Sequence, residues 1–173
     1  MAKAPTPKAP PLDGARKGTL AALIGGTGAA LLLGTLTTFE GKKNVGYRDI
    51  AGIPTACMGD TRDVVVGKFY SDAECQARLE RQAAAHVGEV LRCTPRIAGN
   101  QLVAAGSLAY NIGGAAYCRS TVARRFNAGD LRGGCDAMLA WDKARVGGVV
   151  RPVKGLTTRR QAERAICLKG LGS

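Results

Sequence analysis

The chain has 173 residues, 46% hydrophobic and 22% charged, which allows one packed domain with an appendage and excludes global disorder. Its net charge of +12 is spread along the chain, so the surface favours polyanions such as nucleic acid, anionic lipid or the acidic polymers of a bacterial envelope. Only 5% of the residues are aromatic, too few for a base-stacking platform, and nucleic acid is set aside as a partner.

Residues 1–17 carry Pro5, Pro7, Pro10 and Pro11 among Lys3, Lys8, Arg16 and Lys17, a composition that packs no core and is expected to be disordered. From Gly18 to Phe39 there are 22 residues without a charge. As a helix they would span about 33 Å, against roughly 30 Å of bilayer hydrocarbon. Six Leu, Ile24 and Phe39 make the stretch apolar, while five Gly, five Thr and four Ala make its insertion marginal. A cleaved signal peptide competes with this reading, and a helix buried in a core is a third option. The length of residues 18–39, and the lack of an A-x-A exit before Glu40, favour an uncleaved, weak signal-anchor segment.

Residues 40–173 read as an α+β domain. Gly, Pro or Asp interrupts residues 45–67 every few positions, which predicts short strands and turns in a small β-rich lobe. A larger helical lobe is expected over about 71–169. Ser71 with Glu74 forms a capping box that opens a helix running through about Cys93, with Leu79, Ala83, Val87, Val90 and Leu91 at helical spacing. Further helices are expected at 100–112, 120–128 and 134–144, and Thr158 with Gln161 is read as the cap of a last helix reaching Leu168.

The six cysteines (Cys57, Cys75, Cys93, Cys118, Cys135, Cys167) are dispersed, with no CxxC pair and one histidine, His86. This pattern fits an oxidising compartment and up to three disulfides rather than a zinc site. Their pairing stays open. Cys118–Cys135 is preferred because it would join the starts of two consecutive helices across a short loop. No metal and no cofactor is implied.

The acidic residues offer chemistry. Glu40 ends the apolar run, Asp49 follows in a turn-rich segment and Thr55 comes next, as E-x8-D-x5-T. Glycoside hydrolysis needs a carboxylic acid to protonate the leaving oxygen and a carboxylate on the other face of the sugar. A carboxyl at the end of an apolar helix is desolvated and favoured as a proton donor, whereas a carboxylate in a polar loop stays charged. A threonine hydroxyl nearby can hold the attacking water.

The segment E-GKKNVGYR-D-IAGIP-T-ACMGDT resembles the active-site segment of the phage-type lysozymes, the family of the phage T4 enzyme. Two later stretches agree with it. Ala109-Tyr110-Asn111-Ile112-Gly113 resembles the helix end on the floor of the cleft. Gly155-Leu156-Thr157-Thr158-Arg159-Arg160-Gln161-Ala162-Glu163 is similar to the GLxxRRxxE signature of the last helix. The resemblance spans about 38–169 and implies a lysozyme-like fold preceded by an apolar anchor helix. It implies an inverting N-acetylmuramidase with Glu40 as general acid, Asp49 and Thr55 positioning water, and Tyr110 and Asn111 lining a sugar subsite. The partner implied is the glycan strand of peptidoglycan, and a monomer is expected. A lytic transglycosylase and a non-catalytic basic cell-wall-binding protein are the alternatives. One departure is Gly59-Asp60-Thr61, where the family usually has Gly-His-Thr or Gly-His-Leu, and this puts the local ion pairing in question.

The N-terminal segment is similar to the anchors of signal-anchor-release endolysins. That resemblance implies a host inner-membrane protein with a cytoplasmic N-terminus and a periplasmic domain, later released to the periplasm. Some of these enzymes are controlled by a cysteine inside the anchor. No cysteine lies between residues 18 and 39, so control is expected to come from membrane position. The side chains of residues 1–17 sum to +3, from four basic groups and Asp13, and their outward passage against a cytoplasm-negative potential would cost roughly 7 kcal/mol per 100 mV.

Overall fold

A computed structural model describes residues 19–49 and 52–171. The basic, proline-rich lead expected at 1–17 lies outside the described residues. The first element is α1, Leu20–Glu40, capped by Thr19, whose hydroxyl accepts from the Ala22 N–H. It breaks at Gly25, where φ is +75°. The burial of α1 is uneven. Leu20, Ala29, Leu32 and Leu36 are buried, Leu23, Ile24, Leu31 and Leu33 are half-buried, and the face turned to solvent is made of Ala21, Ala22, Gly26, Thr27, Ala30, Gly34, Thr37 and Thr38. The hydroxyls of Thr35, Thr37 and Thr38 each donate to the carbonyl four residues back. The helix is also long and apolar enough to cross a membrane.

Gly41 turns the chain with φ +66° into β1, Lys43–Arg48, which pairs antiparallel with β2, Pro54–Cys57. This hairpin and the loop that follows, joined by the Val45–Phe69 bridge, form the small lobe. Then comes α2, Asp72–Cys93. Its capping box is as expected, since Glu74 N–H donates to Ser71 Oγ and Ser71 N–H to the Glu74 carboxylate. Its buried stripe is Cys75, Leu79, Ala83, Val87 and Val90.

The centre of the helical lobe is α3, Gly99–Ile112, buried continuously from Leu102 to Ala109 and packed against α1, α2 and the last helix. Gly106 lies where three helices meet, and a Cβ there would stand 2.9 Å from Val87 and 3.3 Å from Leu32. The close approach of α1 and α2 to α3 therefore depends on a residue without a side chain. Short helices follow: α4, Gly114–Cys118; α5, Thr121–Asn127; and α6, Leu131–Ala137, continued by a 3-10 turn over Met138–Trp141.

The expected helix at 134–144 is thus two shorter pieces, and its end is a strand. A second hairpin, β3 (Lys143–Val146) and β4 (Val149–Pro152), turns at Gly147-Gly148. The last helix, α7, covers Lys154–Leu168 and starts four residues before the expected cap. Thr158 is inside it. The hydroxyl at the base of the helix belongs to Thr157, which donates to Asp142 and ties α7 to the foot of the hairpin.

All six cysteines are paired, as Cys57–Cys75, Cys93–Cys118 and Cys135–Cys167. The preferred Cys118–Cys135 pair is not formed. The whole of α5 lies between those residues, and each finds a partner on a long helix packed beside it instead: Cys93 at the end of α2 and Cys167 near the end of α7.

Candidate active site

Glu40 is the last residue of α1, so the length of that helix decides where its carboxylate stands. Oε1 accepts from Arg159 Nη1 at 2.5 Å, and the same guanidinium lies over the Phe39 ring at 5.5 Å. Beside Oε2 is the backbone of Gly59, held at φ +83°, where a Cβ would come within 3.9 Å of that oxygen. A glycine is favoured there for its conformation, and it places the backbone beside the carboxylate.

Asp49 closes the turn of the first hairpin. Its backbone N–H donates to the Ile53 carbonyl, its side-chain Oδ1 accepts from Ile53 N–H at 2.9 Å, and its own carbonyl accepts from Gly52. Thr55 is buried in β2 opposite Tyr47, with its hydroxyl donating to the Ile53 carbonyl. Both residues are therefore fixed by one short turn, and the strand that carries Thr55 leads within four residues to Gly59 beside Glu40.

Tyr110 joins the lobes. From the last turn of α3 its hydroxyl donates to the Met58 carbonyl at 2.8 Å, and its ring stands edge-on to His86. Burial, with the charges of Glu40 and Asp60 nearby, pushes its phenol well above the usual tyrosine range, so it stays a neutral donor. Asn111 is exposed, and its Oδ1 accepts from Arg160 Nη1 at 3.1 Å.

Asp60 answers the question raised by the missing histidine. It is 3% exposed and accepts from Arg78 at 2.7 Å and Arg81 at 3.3 Å, both on α2. The junction keeps an ion pair, formed by an acid on the loop and bases on the helix.

Arg159 was not among the expected site residues, because an Arg-Arg pair at a helix start reads as helix-capping and structural. The signal was the glutamate that follows at i+4 and i+3. Glu163 is fully buried and receives Ser107 Oγ at 2.7 Å, Arg159 Nε at 3.1 Å and Arg160 Nη2 at 2.8 Å. Desolvation raises the Glu163 carboxyl and the two guanidiniums oppose that rise. An acid set in this way between two bases is a charged pair rather than a proton donor.

Comparisons with known proteins show the family and the fold. The phage lysozyme family model matches residues 37–163. The SAR-endolysin of Enterobacteria phage P21 is 38% identical over 160 residues, covering 87% of this chain and 94% of its own length. A second SAR-endolysin, from Pseudomonas phage phiKMV, is 33% identical and covers 83% and 90%. Among solved structures, the endolysin from Escherichia coli O157:H7 phage FAHEc1 superposes with a TM-score of 0.72 at 32% identity, over 80% of this chain and 90% of that one. A P22 lysozyme mutant gives 0.71 at 29% identity, over 84% and 98%. The chain belongs to the phage lysozyme family and is an endolysin of the SAR type, an enzyme of peptidoglycan lysis.

Proposed function

We propose that the enzyme is an inverting N-acetylmuramidase that hydrolyses the β-1,4 bond between N-acetylmuramic acid and N-acetylglucosamine. Glu40 gives its proton to the leaving oxygen. Asp49 and Thr55 hold the water that attacks the anomeric carbon from the other face, and Asp49 supports the cationic transition state. Tyr110 and Asn111 line the sugar subsite at the floor of the cleft. The observation that carries this reading is the placement of Glu40 at the rigid end of α1, against Arg159 and the open backbone of Gly59. Further support comes from Asp49 and Thr55, both fixed by the turn at Ile53.

In the same reading residues 18–39 have two homes. Before lysis they lie in the inner membrane, with the N-terminus cytoplasmic and the domain periplasmic. After release residues 20–39 belong to α1, and the protein is in the periplasm. The uneven burial of α1 supports this, since Leu20, Leu32 and Leu36 are buried while its fully exposed positions are Gly, Ala and Thr, with three hydroxyls returned to backbone carbonyls. Such a helix is acceptable in water and, weakly, in lipid.

The test is digestion of purified sacculi. Mass spectrometry should find reducing N-acetylmuramic acid ends, and NMR of fresh product should show the α anomer first. Anhydro ends would identify a transglycosylase, and an initial β anomer would identify retention. Absence of any glycan cleavage would leave a binding protein.

A further inference from the structure

We propose that Glu163 is a positioning residue that sets two site groups at once through its two arginines, aiming Arg159 at Glu40 and orienting the amide of Asn111 through Arg160. The inference rests on the assignment of Glu40 as the proton donor.

A guanidinium is planar and donates in fixed directions, so holding two of its nitrogens fixes the third. Glu163 Oε1 holds Arg159 Nε at 3.1 Å, and the Ser107 carbonyl holds Nη2 at 3.2 Å. The orientation of Nη1 is then fixed, and it donates to Glu40 Oε1 at 2.5 Å. Arg160 is held by the same carboxylate, Nη2 at 2.8 Å from Oε1 and Nε in ion-pair contact with Oε2 at 2.7 Å. Its free Nη1 donates to Asn111. Because a guanidinium has no acceptor, the Asn111 atom facing it must be the oxygen. The amide NH2 is thereby turned away from Arg160, as a pair of donors for a sugar hydroxyl or acetamido carbonyl.

The charges are arranged to the same end. Glu163 and Arg160 are 0% exposed and Arg159 is 3% exposed, so little water screens them. The charged and titratable groups around Glu40 are Arg159 and, farther off, Arg160 and Glu163 from α7, and Tyr110 from α3. Glu163 supplies a second negative charge to the cluster, so that the Arg159 guanidinium is shared between two carboxylates rather than given to Glu40 alone.

The variant Glu163→Gln separates this role from a merely structural one. Its carbonyl can take the Oε1 position, with three donors around it, which leaves its NH2 against Arg160 Nε, donor to donor. The Asn111 arm breaks, and the expected KM for soluble glycan strands rises by about tenfold, one lost charge-assisted hydrogen bond. The Arg159 arm stays, but with its whole charge on Glu40. The alkaline limb of the kcat profile should therefore move to lower pH by about one unit. Arg159→Gln should move the same limb to higher pH, and the double variant should follow Arg159→Gln. Glu163→Asp keeps the charge and loses reach, so its limb should return to the wild-type position while kcat stays lowered. Melting temperature and thiol content are recorded for each variant. A uniform fall in kcat with the limb unmoved in Glu163→Gln would overturn the proposal. Should that variant not fold, a displaced limb in Glu163→Asp, or an unmoved one in Arg159→Gln, would overturn it. If Glu40→Gln proved fully active, the failure would belong to the catalytic assignment and not to Glu163.

Discussion

The two helices that meet at the site are built on opposite plans. α1 has no charge before its last residue, and much of its surface is still exposed. α7 is rich in charge and buries Arg159, Arg160 and Glu163 more completely than most of its apolar residues. Disulfides divide the helices in the same way: Cys167 of α7 is stapled to α6, and no cysteine lies in α1. The difference shows what each helix is for. A buried ionic cluster is tolerable only in one fixed surrounding, because removing a partner leaves an unpaired charge in the interior. A helix of Leu, Gly, Ala and Thr buries no charge, and in the proposed reading it exchanges the core for the membrane without leaving an ion unpaired. The site is made by bringing the uncommitted helix to the committed one.

The largest expected effect is at the point of contact. Glu40→Gln keeps the size of the side chain but has no proton to give, and activity on sacculi should fall by about 10²–10⁴ while the circular dichroism spectrum is unchanged. Asp49→Asn should be nearly as severe, because it removes the charge that supports the water and the cation. Thr55→Ala removes one hydrogen bond and should cost less, about tenfold in initial rate. The order Glu40, Asp49, Thr55 is the thing to check, and a reversed order would move the burden of catalysis to the hairpin.

Next come the positions that attach α1 to the core. Leu32→Ala and Leu36→Ala should each destabilise the released enzyme by about 2–5 kcal/mol in urea titration, since both side chains are fully buried. Removing the staple of α7 by Cys135→Ser with Cys167→Ser closes no loop of 32 residues and should cost about 3–4 kcal/mol on the same scale. If the leucine variants proved neutral while the cysteine pair did not, α1 would be an accessory and not part of the core.

The smallest free energy concerns the membrane. Gly26 and Gly34 face open space with ordinary helical backbone, so leucine fits at both in the released fold. Gly25 is different, because its φ of +75° would strain any side chain there. Replacing Gly26 and Gly34 by leucine should deepen insertion by about 0.6–1.2 kcal/mol, roughly threefold to eightfold in the release equilibrium. Culture turbidity after a protonophore should show slower lysis for this pair than for the wild type. Equal rates, or lysis without depolarisation, would reject the membrane-timing reading.

Much of this was legible in the chain. Ser71 and Glu74 marked the start of α2 because a capping box needs only local groups, and the turns of residues 45–67 marked the first hairpin because its pairing is also local. The errors came where a local pattern met a tertiary competitor. Thr158 and Gln161 imitate a cap, but Thr157 bonds to Asp142 and the helix starts earlier. Gly147-Gly148 was a readable hairpin turn just beyond the expected helix at 134–144, whose end is the first strand of that hairpin. The disulfides followed the packing of α2 on α4 and of α6 on α7, which no spacing reports. Arg159 and Glu163 were legible only as parts of a helix-opening signature, since burial is not written in a single helix.

That Glu40 belongs to α1 while its partner belongs to α7 makes the enzyme a natural case for fragment complementation. On the proposed assignment of Glu40 as proton donor, a peptide of residues 19–40 would carry the acid and the remaining chain the arginine that aims it, so neither piece alone should show activity. Proteolysis that removes the first helix should then leave an inactive remainder, and the activity of a preparation should count the molecules in which that helix is seated.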